Sequence, residues 1–269
     1  MTKQTKLRPS EIESNNNISF PVGTAIAVKR YSQKLDFDHI LSRYKKRGVD
    51  LASLVDALIT YRLTENQSIC RASEWINRQD VLGQFSLSVF EERTLFRALE
   101  LVGDNYEEII LLLQKSIFSQ YEFPHTDVNM DWTSFVLWGT KSELGKYGYS
   151  RAHRPDKKQI TVGISQLRAP MNIPIGLTVQ PGNVNDQTHF KSTFLQVCSE
   201  LKENSRIVFD KGGQSKENLD LILAHKMKYL SAKKLNRSDD KRIKTFVKSA
   251  DNCVDLKKGI YGEIIEYPS

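Results

Sequence analysis

Two stretches of the chain decide its fold: Val128-Asn129-Met130-Asp131-Trp132-Thr133-Ser134-Phe135 and Arg206-Ile207-Val208-Phe209-Asp210-Lys211-Gly212-Gly213. Each stretch contains an apolar run typical of a β-strand, and each run carries one aspartate, Asp131 or Asp210. A carboxylate beside a hydrophobic core is costly unless a cation meets it. If the two strands pair side by side, both carboxylates lie at one end of a sheet, where hard oxygen ligands favour Mg²⁺ or Mn²⁺. The pattern therefore predicts a divalent metal site.

Composition limits the class of protein. The chain has 269 residues, of which 39% are hydrophobic and 26% charged, and this balance fits a globular protein that buries a core. The formal net charge is +7 and the pI is about 9.2. Such an excess of positive charge favours an anionic partner, most often nucleic acid, although an ordinary basic protein has the same balance.

Cysteine usage and hydropathy bear on location. The cysteines, Cys70, Cys198 and Cys253, are scattered and have no metal-finger spacing, which indicates buried or free thiols in a reducing compartment. No run is long and apolar enough to span a bilayer, and the N-terminus lacks the apolar stretch of a signal peptide. We expect a cytoplasmic protein without membrane contact.

The first half of the chain has helical character. Residues 1–35 are polar and predict a flexible lead-in, whereas residues 36–121 predict a helical region. Its best-defined helix begins after Asp50, which can act as the N-cap. The apolar face of that helix is formed by Leu51, Leu54, Val55, Leu58 and Ile59. Further helices are predicted at 73–76, 88–102 and 106–118, with Gly103 as a helix stop.

Basic residues in this helical region predict contact with DNA. Compact helices joined by Gly-containing turns fit a helix-turn-helix, and they fit a plain helical bundle as well. The candidate phosphate contacts are the cluster Arg43, Lys45, Lys46 and Arg47, together with Arg71 and Arg78. A cluster of this kind can also be no more than a solvated surface.

Strand-like runs dominate from about residue 125 onward. The predicted order is three strands, a helix, a strand, a helix and a strand, at 128–137, 159–165, 173–179, 186–202, 206–210, 215–225 and 228–231. This order predicts an α+β or α/β protein with a mixed sheet and helical crossovers over 125–235. It is the order of an RNase H-like fold, in which the first and fourth strands are adjacent and would juxtapose Asp131 and Asp210.

The last stretch, 236–269, is rich in Lys and Asp, with strand-like runs at 245–247 and 262–265. We interpret it as the start of a β-rich insertion. Because the chain ends in what reads as the middle of a fold, we expect its C-terminal part to be incomplete.

Four motifs in one order carry a resemblance to a known family: Asp131–Ser134, Gly148–Gln159, Ile173–Gly176 followed by Pro181–Asp186, and Val208–Gly213 followed by Ser215 and Asn218. On these motifs, residues 125–232 resemble the catalytic domain of DDE transposases of bacterial and archaeal insertion sequences. The resemblance is closest to the insertion-sequence-four superfamily, whose members carry a β-rich insertion between the second and third acidic residues.

This resemblance implies a function and a set of site residues. The reaction would be Mg²⁺- or Mn²⁺-dependent cleavage of element ends and strand transfer into target DNA, in a nucleoid-associated prokaryotic protein. Asp131 and Asp210 would be the catalytic metal ligands. Double-stranded DNA would be the partner, and a homo-oligomer is left open. Basic residues that would lie against phosphates, or form a solvated loop, are Arg151, Arg154, Lys157 and Lys158. Lys211 would hold a phosphate or neutralise Asp210.

The chain departs from the family in its third acidic residue. The family places a glutamate on a later helix, within a Tyr…Arg…Glu…Lys signature that this sequence lacks. Glu263 and Glu266 are the last acidic candidates, and both lie in a strand-like stretch. The chain is then either an incomplete transposase or a non-catalytic DNA-binding remnant that acts as an inhibitor or has no activity. A metal-dependent nuclease on the same fold is a further alternative.

The remaining candidates have structural interpretations. Asp127 and Asp156 are interpreted as structural or solvated carboxylates, and Asp186 as a helix cap after the turn at Gly182. The histidines and tryptophans interpreted as surface, packing or core residues are His125, His153, His189, Trp132 and Trp138.

Overall fold

The structure is a computed structural model that describes residues 22–139, 141–232, 254–257 and 260–262. Its first part is helical, with α1 (Gly23–Lys34), α2 (Phe37–Ser42), α3 (Leu51–Thr64), α4 (Ile69–Ile76), α5 (Gln79–Phe85), α6 (Glu92–Asp104) and α7 (Tyr106–Gln120). Within the described residues, no helix is long and apolar enough to cross a membrane.

The prediction of a flexible lead-in over 1–35 is wrong for residues 23–34, which form α1. This helix packs against α3 and buries Ala25, Val28 and Ser32, which recur at helical spacing on one face and are too few to stand out in a polar composition. Residues 1–21 lie outside the described part of the chain.

Helix boundaries follow their caps. The Asp50 carboxylate accepts a hydrogen bond from Ser53 N at 2.7 Å, which confirms Asp50 as the N-cap of α3. The α6 boundaries were predicted less well. The helix begins at Glu92 rather than 88, because the backbone of Phe90 is held outside the helix by the Asn77 amide. Gly103 is not the stop, since α6 continues to Asp104.

Asp56 is a buried carboxylate of α3. It is 6% exposed, and its Oδ1 has no hydrogen-bond partner in the described residues. Burial raises the pKa of Asp56 from 3.8 to about 6. Since the folded-state pKa lies above that of the unfolded chain, the folded state binds the extra proton between these values. The free energy of unfolding should therefore fall as the pH rises from about 4 to above 6.

We expect Asp56→Asn to abolish the fall in the free energy of unfolding that the Asp56 carboxylate causes as the pH rises. At pH 8 the variant should be more stable than the native chain by about 1–3 kcal/mol, and at pH 4 the two should be nearly equal. Urea unfolding at both pH values checks this. Asp104→Asn, on the exposed side of α6, is the control. A variant that is no more stable at pH 8 would show that the Asp56 carboxylate is accommodated without cost.

The second part of the chain contains a mixed sheet. Its elements are β1 (Val128–Val136), β2 (Gln159–Leu167), β3 (Pro174–Pro181), α8 (Asp186–Val197), β4 (Arg206–Phe209), α9 (Lys216–Ala224) and β5 (Lys228–Ser231). The strand order is β3-β2-β1-β4-β5; β1 to β3 are antiparallel neighbours, while β4 pairs parallel with β1 and β5 parallel with β4. This is an RNase H-like arrangement, and the predicted fold class is confirmed. The helix predicted at 186–202 ends at Val197 and is followed by a single 3₁₀ turn.

Aromatic packing holds α8 on the sheet. Phe190 of α8 lies 5.7 Å from the ring of Trp132 on β1 and 4.9 Å from the ring of Phe209 on β4. Beneath these rings, Trp132 Nε1 donates to Thr193 Oγ1 at 3.0 Å. Both an apolar and a polar contact therefore fix β1, the strand that carries Asp131, against α8.

Helix α7 joins the helical region to the sheet. Gln114, which is 2% exposed, donates through Nε2 to the backbone oxygens of Ile175 on β3 and Gln196 on α8, at 2.9 and 3.2 Å. A buried amide with both N–H groups paired is a well-satisfied contact. The helical region is thus anchored to the third strand rather than to the Asp131 end of the sheet.

The described residues near the C-terminus form a small antiparallel hairpin of β6 (Val254–Lys257) and β7 (Ile260–Gly262). The strand predicted at 262–265 coincides with β7 only at Gly262. The strand predicted at 245–247 lies outside the described residues.

Candidate active site

Asp131, inside β1, and Asp210, directly after β4, are neighbours in the sheet. In the parallel pairing of β1 with β4, Met130 lies opposite Phe209, so Asp131 and Asp210 occupy the next position on adjacent strands. Neighbouring strands lie about 4.8 Å apart. Both aspartates are exposed, whereas Met130, Trp132 and Phe209 are buried. The predicted adjacency of the strands that carry Asp131 and precede Asp210 is confirmed.

Each of these carboxylates is oriented by the backbone beside it. Asp131 Oδ1 accepts a hydrogen bond from Trp132 N at 2.8 Å, and Asp210 Oδ1 accepts one from Gly212 N at 2.9 Å. Within residues 22–139 and 141–232, neither carboxylate has an ion-pair partner. Two adjacent carboxylates without a counter-charge repel each other, and this donor set suits a divalent cation such as Mg²⁺ or Mn²⁺.

Asp186 is a third carboxylate at this end of the sheet, and its interpretation as a helix cap is wrong. The N-cap of α8 is Asn185, whose side chain accepts from Thr188 N at 2.9 Å. Asp186 follows it, and its Oδ2 reaches the space over Gly212. A Cβ on that glycine would lie 2.6 Å from Asp186 Oδ2 and 2.9 Å from Asp210 Oδ1.

Burial is the main cause that raises the pKa of the Asp186 carboxyl. The negative charges of Asp210 and Asp131 raise this pKa further, whereas the positive charge of Arg151 lowers it. The three carboxylates are thus electrostatically linked. Sequence reasoning missed the position of Asp186. The available signal was the pair Asn185-Asp186, because two capping residues in succession cannot both occupy one N-cap.

Arg151 holds the third carboxylate. Its Nη2 donates to Asp186 Oδ2 at 2.6 Å, and its Nη1 donates to the backbone oxygen of Trp132. One guanidinium thereby links the loop before β2, strand β1 and the start of α8. Around it lies a cleft of about 320 Å³, lined among others by Thr133, Ser134, Tyr149, Asn185 and Gly212. In the described residues, no group of three or more His, Cys, Asp or Glu could hold a metal ion.

Replacing Arg151 alone should lower the free energy of unfolding more than replacing both Arg151 and Asp186. We expect Arg151→Met to lower the free energy of unfolding by about 1–2 kcal/mol, because it leaves a half-buried carboxylate unpaired beside Asp210. The double variant Arg151→Met/Asp186→Asn should lose less than Arg151→Met alone. Urea unfolding of the four species in a double-mutant cycle measures the coupling.

The exposed pair Arg154–Asp156 provides the matched control for that cycle. Arg154→Met alone and Arg154→Met/Asp156→Asn should have the same stability, because water solvates the unpaired carboxylate there. Equal losses for the single and double variants at Arg151 and Asp186 would contradict the expectation.

The predicted basic loop divides between two places. Arg151 lies at the site, whereas Arg154 and Lys157 each lie 5.0 Å from the ring centre of Trp138. Lys158 accepts a backbone hydrogen bond from Leu137 N at 2.8 Å, which extends the β1–β2 pairing. Lys211 is exposed directly after Asp210. Of the predicted loop residues, Arg151 therefore lies at the carboxylates, whereas Arg154 and Lys157 lie together at Trp138.

The two tryptophans interpreted as core residues differ. Trp132 is 1% exposed, which confirms its prediction, but Trp138 is 73% exposed and its prediction is wrong. The physical reason is position: Trp132 lies within β1 on the face that α8 covers, whereas Trp138 follows the end of β1 at Val136.

The other predicted residues lie away from the carboxylates. The basic cluster Arg43, Lys45, Lys46 and Arg47 follows α2 in the helical region, and all of it except Lys45 is exposed. Arg71 forms an ion pair with Glu74, and Arg78 forms one with Asp80. Glu263 and Glu266 lie outside the described residues.

Asp127 and Asp156 have structural roles, as predicted. Asp127 accepts from Arg206 N at 2.8 Å, and Asp156 pairs with Arg154. Of the three histidines considered in the sequence analysis, His189 is buried between Thr161 and Thr178. Burial lowers the pKa of His189 to about 4, so its imidazole is neutral. His125 and His153 are exposed.

The chain is similar in sequence to a family of transposase domains and in structure to a solved transposase. A protein-family model described as a transposase DDE domain matches residues 122–266, more than half of the chain. No curated protein matches the chain. Among solved structures, a cryo-EM structure of a piggyBac transposase synaptic complex with hairpin DNA is similar, at 12% sequence identity and a TM-score of 0.39. The match covers 82% of this chain and 49% of that one, so this chain spans about half the length of that relative.

Proposed function

Because the chain belongs to the family of transposase DDE domains, we propose that it is a DNA transposase that cleaves the ends of an insertion sequence and joins them to target DNA. We place it in the insertion-sequence-four superfamily of prokaryotes on the four ordered motifs. One observation carries the proposal: Asp131 and Asp210 directly follow Met130 and Phe209, which pair on the adjacent parallel strands β1 and β4. Both aspartates are exposed and have no ion-pair partner in the described residues.

Asp131 and Asp210 are the residues that would hold a divalent ion. When bound, such an ion activates the attacking water or hydroxyl and stabilises the leaving oxygen of a phosphodiester. The protein's own contribution is positional. Backbone N–H groups of Trp132 and Gly212 orient the two carboxylates. The contact between the rings of Phe190 on α8 and Trp132 on β1 holds β1 in place.

Asp186 and Arg151 support the two aspartates in the proposal. The Arg151–Asp186 ion pair keeps the third carboxylate beside Asp210 and keeps the loop before β2 against β1. Its location next to the carboxylate pair supports a positioning role. A phosphate that entered the cleft would meet the Arg151 guanidinium, a donor well suited to phosphate oxygens.

Double-stranded DNA is the proposed partner. A net charge of +7 supports this, as do the exposed basic residues Lys211, Arg43, Lys46 and Arg47. We assign the helical region, residues 36–121, to the binding of element ends, residues 125–235 to catalysis, and residues 236–269 to a β-rich insertion. Phosphate contacts of this kind make binding weaken steeply as salt rises.

Metal-dependent DNA cleavage is the test. Purified protein would be incubated with Mg²⁺ or Mn²⁺ and a supercoiled plasmid that carries the DNA flanking the gene. Cleavage at the borders of that DNA, lost on chelation, is the expected result. Cleavage at random positions would favour a nuclease instead.

Binding without cleavage in both metals would favour the alternative of a non-catalytic DNA-binding protein. The observation that keeps this alternative open is that no described group of three acidic, His or Cys side chains could hold a metal ion. A third ligand among the residues outside the described part, such as Glu263 or Glu266, is what an active enzyme would need.

A further inference from the structure

An aromatic patch lies beyond the carboxylates on the open end of the β1–β2 pair. It consists of Phe135, Trp138, Tyr147 and Tyr149, which are 54%, 73%, 61% and 85% exposed. Phe135 faces the same side of β1 as Asp131, four residues further on and so about 13 Å away. Tyr149 lines the cleft that contains Arg151 and Asp186. Through Phe135 and Tyr149, the aromatic patch therefore borders the candidate active site.

Positive charge surrounds the aromatic patch. Residues 137–158 contain six Lys or Arg residues and two acidic ones. Arg154 and Lys157 both lie over the Trp138 ring, yet the side chain remains largely open to solvent. Planar apolar faces flanked by cations provide the two contacts that an unpaired nucleotide needs, a stacking surface for its base and a partner for its phosphate.

The segment that carries Tyr147 and Tyr149 is held in place. Backbone hydrogen bonds join Lys146 to Gln159 in both directions, at 3.1 and 2.9 Å, and Gln159 Nε2 donates to Tyr149 O at 2.7 Å. Gly148 approaches Gly182 so closely that a Cβ would overlap the Gly182 carbonyl oxygen. Exposed aromatic rings on a fixed backbone lose little conformational entropy on binding.

From these observations we propose that the aromatic patch binds unpaired bases of the DNA strand that leads into the active site, with Trp138 as the main stacking residue. A closed duplex hides the faces of its bases, whereas a single strand exposes them, so the patch selects single-stranded DNA next to the cleavage position. This inference rests on the proposed function, because it assigns the DNA to the same site.

Intrinsic fluorescence provides the test. The chain has tryptophans Trp75, Trp132 and Trp138, and Trp138 is the most exposed of them because Trp75 is half-buried and Trp132 is 1% exposed. A short single-stranded oligothymidylate should quench the fluorescence of the native chain, and Trp138→Ala should remove that quenching. By anisotropy, Trp138→Ala should weaken single-strand binding about 5- to 100-fold and change binding of a duplex of equal length less than about twofold. Trp138→Phe, which keeps a ring, should retain most of the affinity.

The matched control is Tyr31→Ala. Tyr31 is 58% exposed and lines a groove with Ala169 and Met171, at the end of β2 opposite to Trp138. This variant should bind both DNA forms as the native chain does. Equal losses for single strand and duplex in Trp138→Ala, persistent quenching, or no single-strand binding by the native chain would each overturn the proposal.

The binding assay is run without metal, so its failure and that of the proposed function can be told apart. Plasmid cleavage without Trp138-dependent single-strand binding would overturn this inference alone. Trp138-dependent binding without cleavage would overturn the catalytic proposal alone.

Discussion

Replacing Asp131 or Asp210 with asparagine should reduce metal-dependent DNA cleavage by at least about 100-fold, the size of loss that follows removal of a group that stabilises charge in a reaction. Asparagine has the shape of aspartate but lacks the charge that a divalent cation requires. Since the two carboxylates are adjacent and repel each other, neither Asp131→Asn nor Asp210→Asn should destabilise the metal-free protein.

A second measurement separates loss of metal binding from loss of structure. Thermal unfolding of the native chain should shift upward with Mn²⁺, because a ligand that binds the folded state stabilises it. Both asparagine variants should lose this shift while their melting temperature without metal stays the same or rises. Asp220→Asn, which makes the same change on exposed α9, should retain both the shift and cleavage. Full cleavage by Asp131→Asn would remove Asp131 from the site.

Trp132→Ala should have the largest effect on stability. Trp132 is 1% exposed, packs against Phe190 and donates to Thr193 Oγ1. Truncating a buried tryptophan to alanine leaves a cavity and costs about 3–5 kcal/mol. Since Trp132 is the residue after Asp131, the same change should also lower cleavage. Urea unfolding measures the first effect, and the plasmid assay measures the second.

The chain contains its own control for this experiment. Trp138→Ala makes the same chemical change at a residue that is 73% exposed, and it should alter the free energy of unfolding by no more than about 0.5 kcal/mol. Trp132→Phe, which keeps an aromatic ring but loses the bond to Thr193, should fall between the two. If Trp132→Ala and Trp138→Ala were equally stable, the packing of β1 against α8 would not be what holds the sheet.

Much of the fold could be predicted because it depends on local patterns. The order of strands and helices from Val128 to Ser231 follows from apolar periodicity, and element boundaries differ from the prediction by a few residues at most places. The predicted helix boundaries were wrong where a residue distant in the sequence determines the start of a helix. Asn77 holds Phe90 outside α6, and nothing in the residues around Phe90 indicates that contact.

The candidate site could be predicted only in part. Asp131 and Asp210 were identified because each ends an apolar run in the sequence, a pattern that can be read without the structure. Asp186 was missed because its neighbour Asn185 takes the N-cap. The cap position depends on the path of the chain into α8, and the partner Arg151 lies 35 positions away.

By itself, the amino-acid sequence determined the alternation of elements, the pair of aspartates that follow apolar runs, and the excess of positive charge, because each follows from the type and spacing of neighbouring residues. The tertiary structure alone decided which charged groups meet. It placed Asp186 beside Asp210, turned Arg151 toward both β1 and α8, and left Trp138 open to solvent while it buried Trp132. The physical reason is that burial and electrostatic pairing depend on the packing of α8 and the loop before β2 against β1, and such long-range contacts leave no periodic signal in a single sequence.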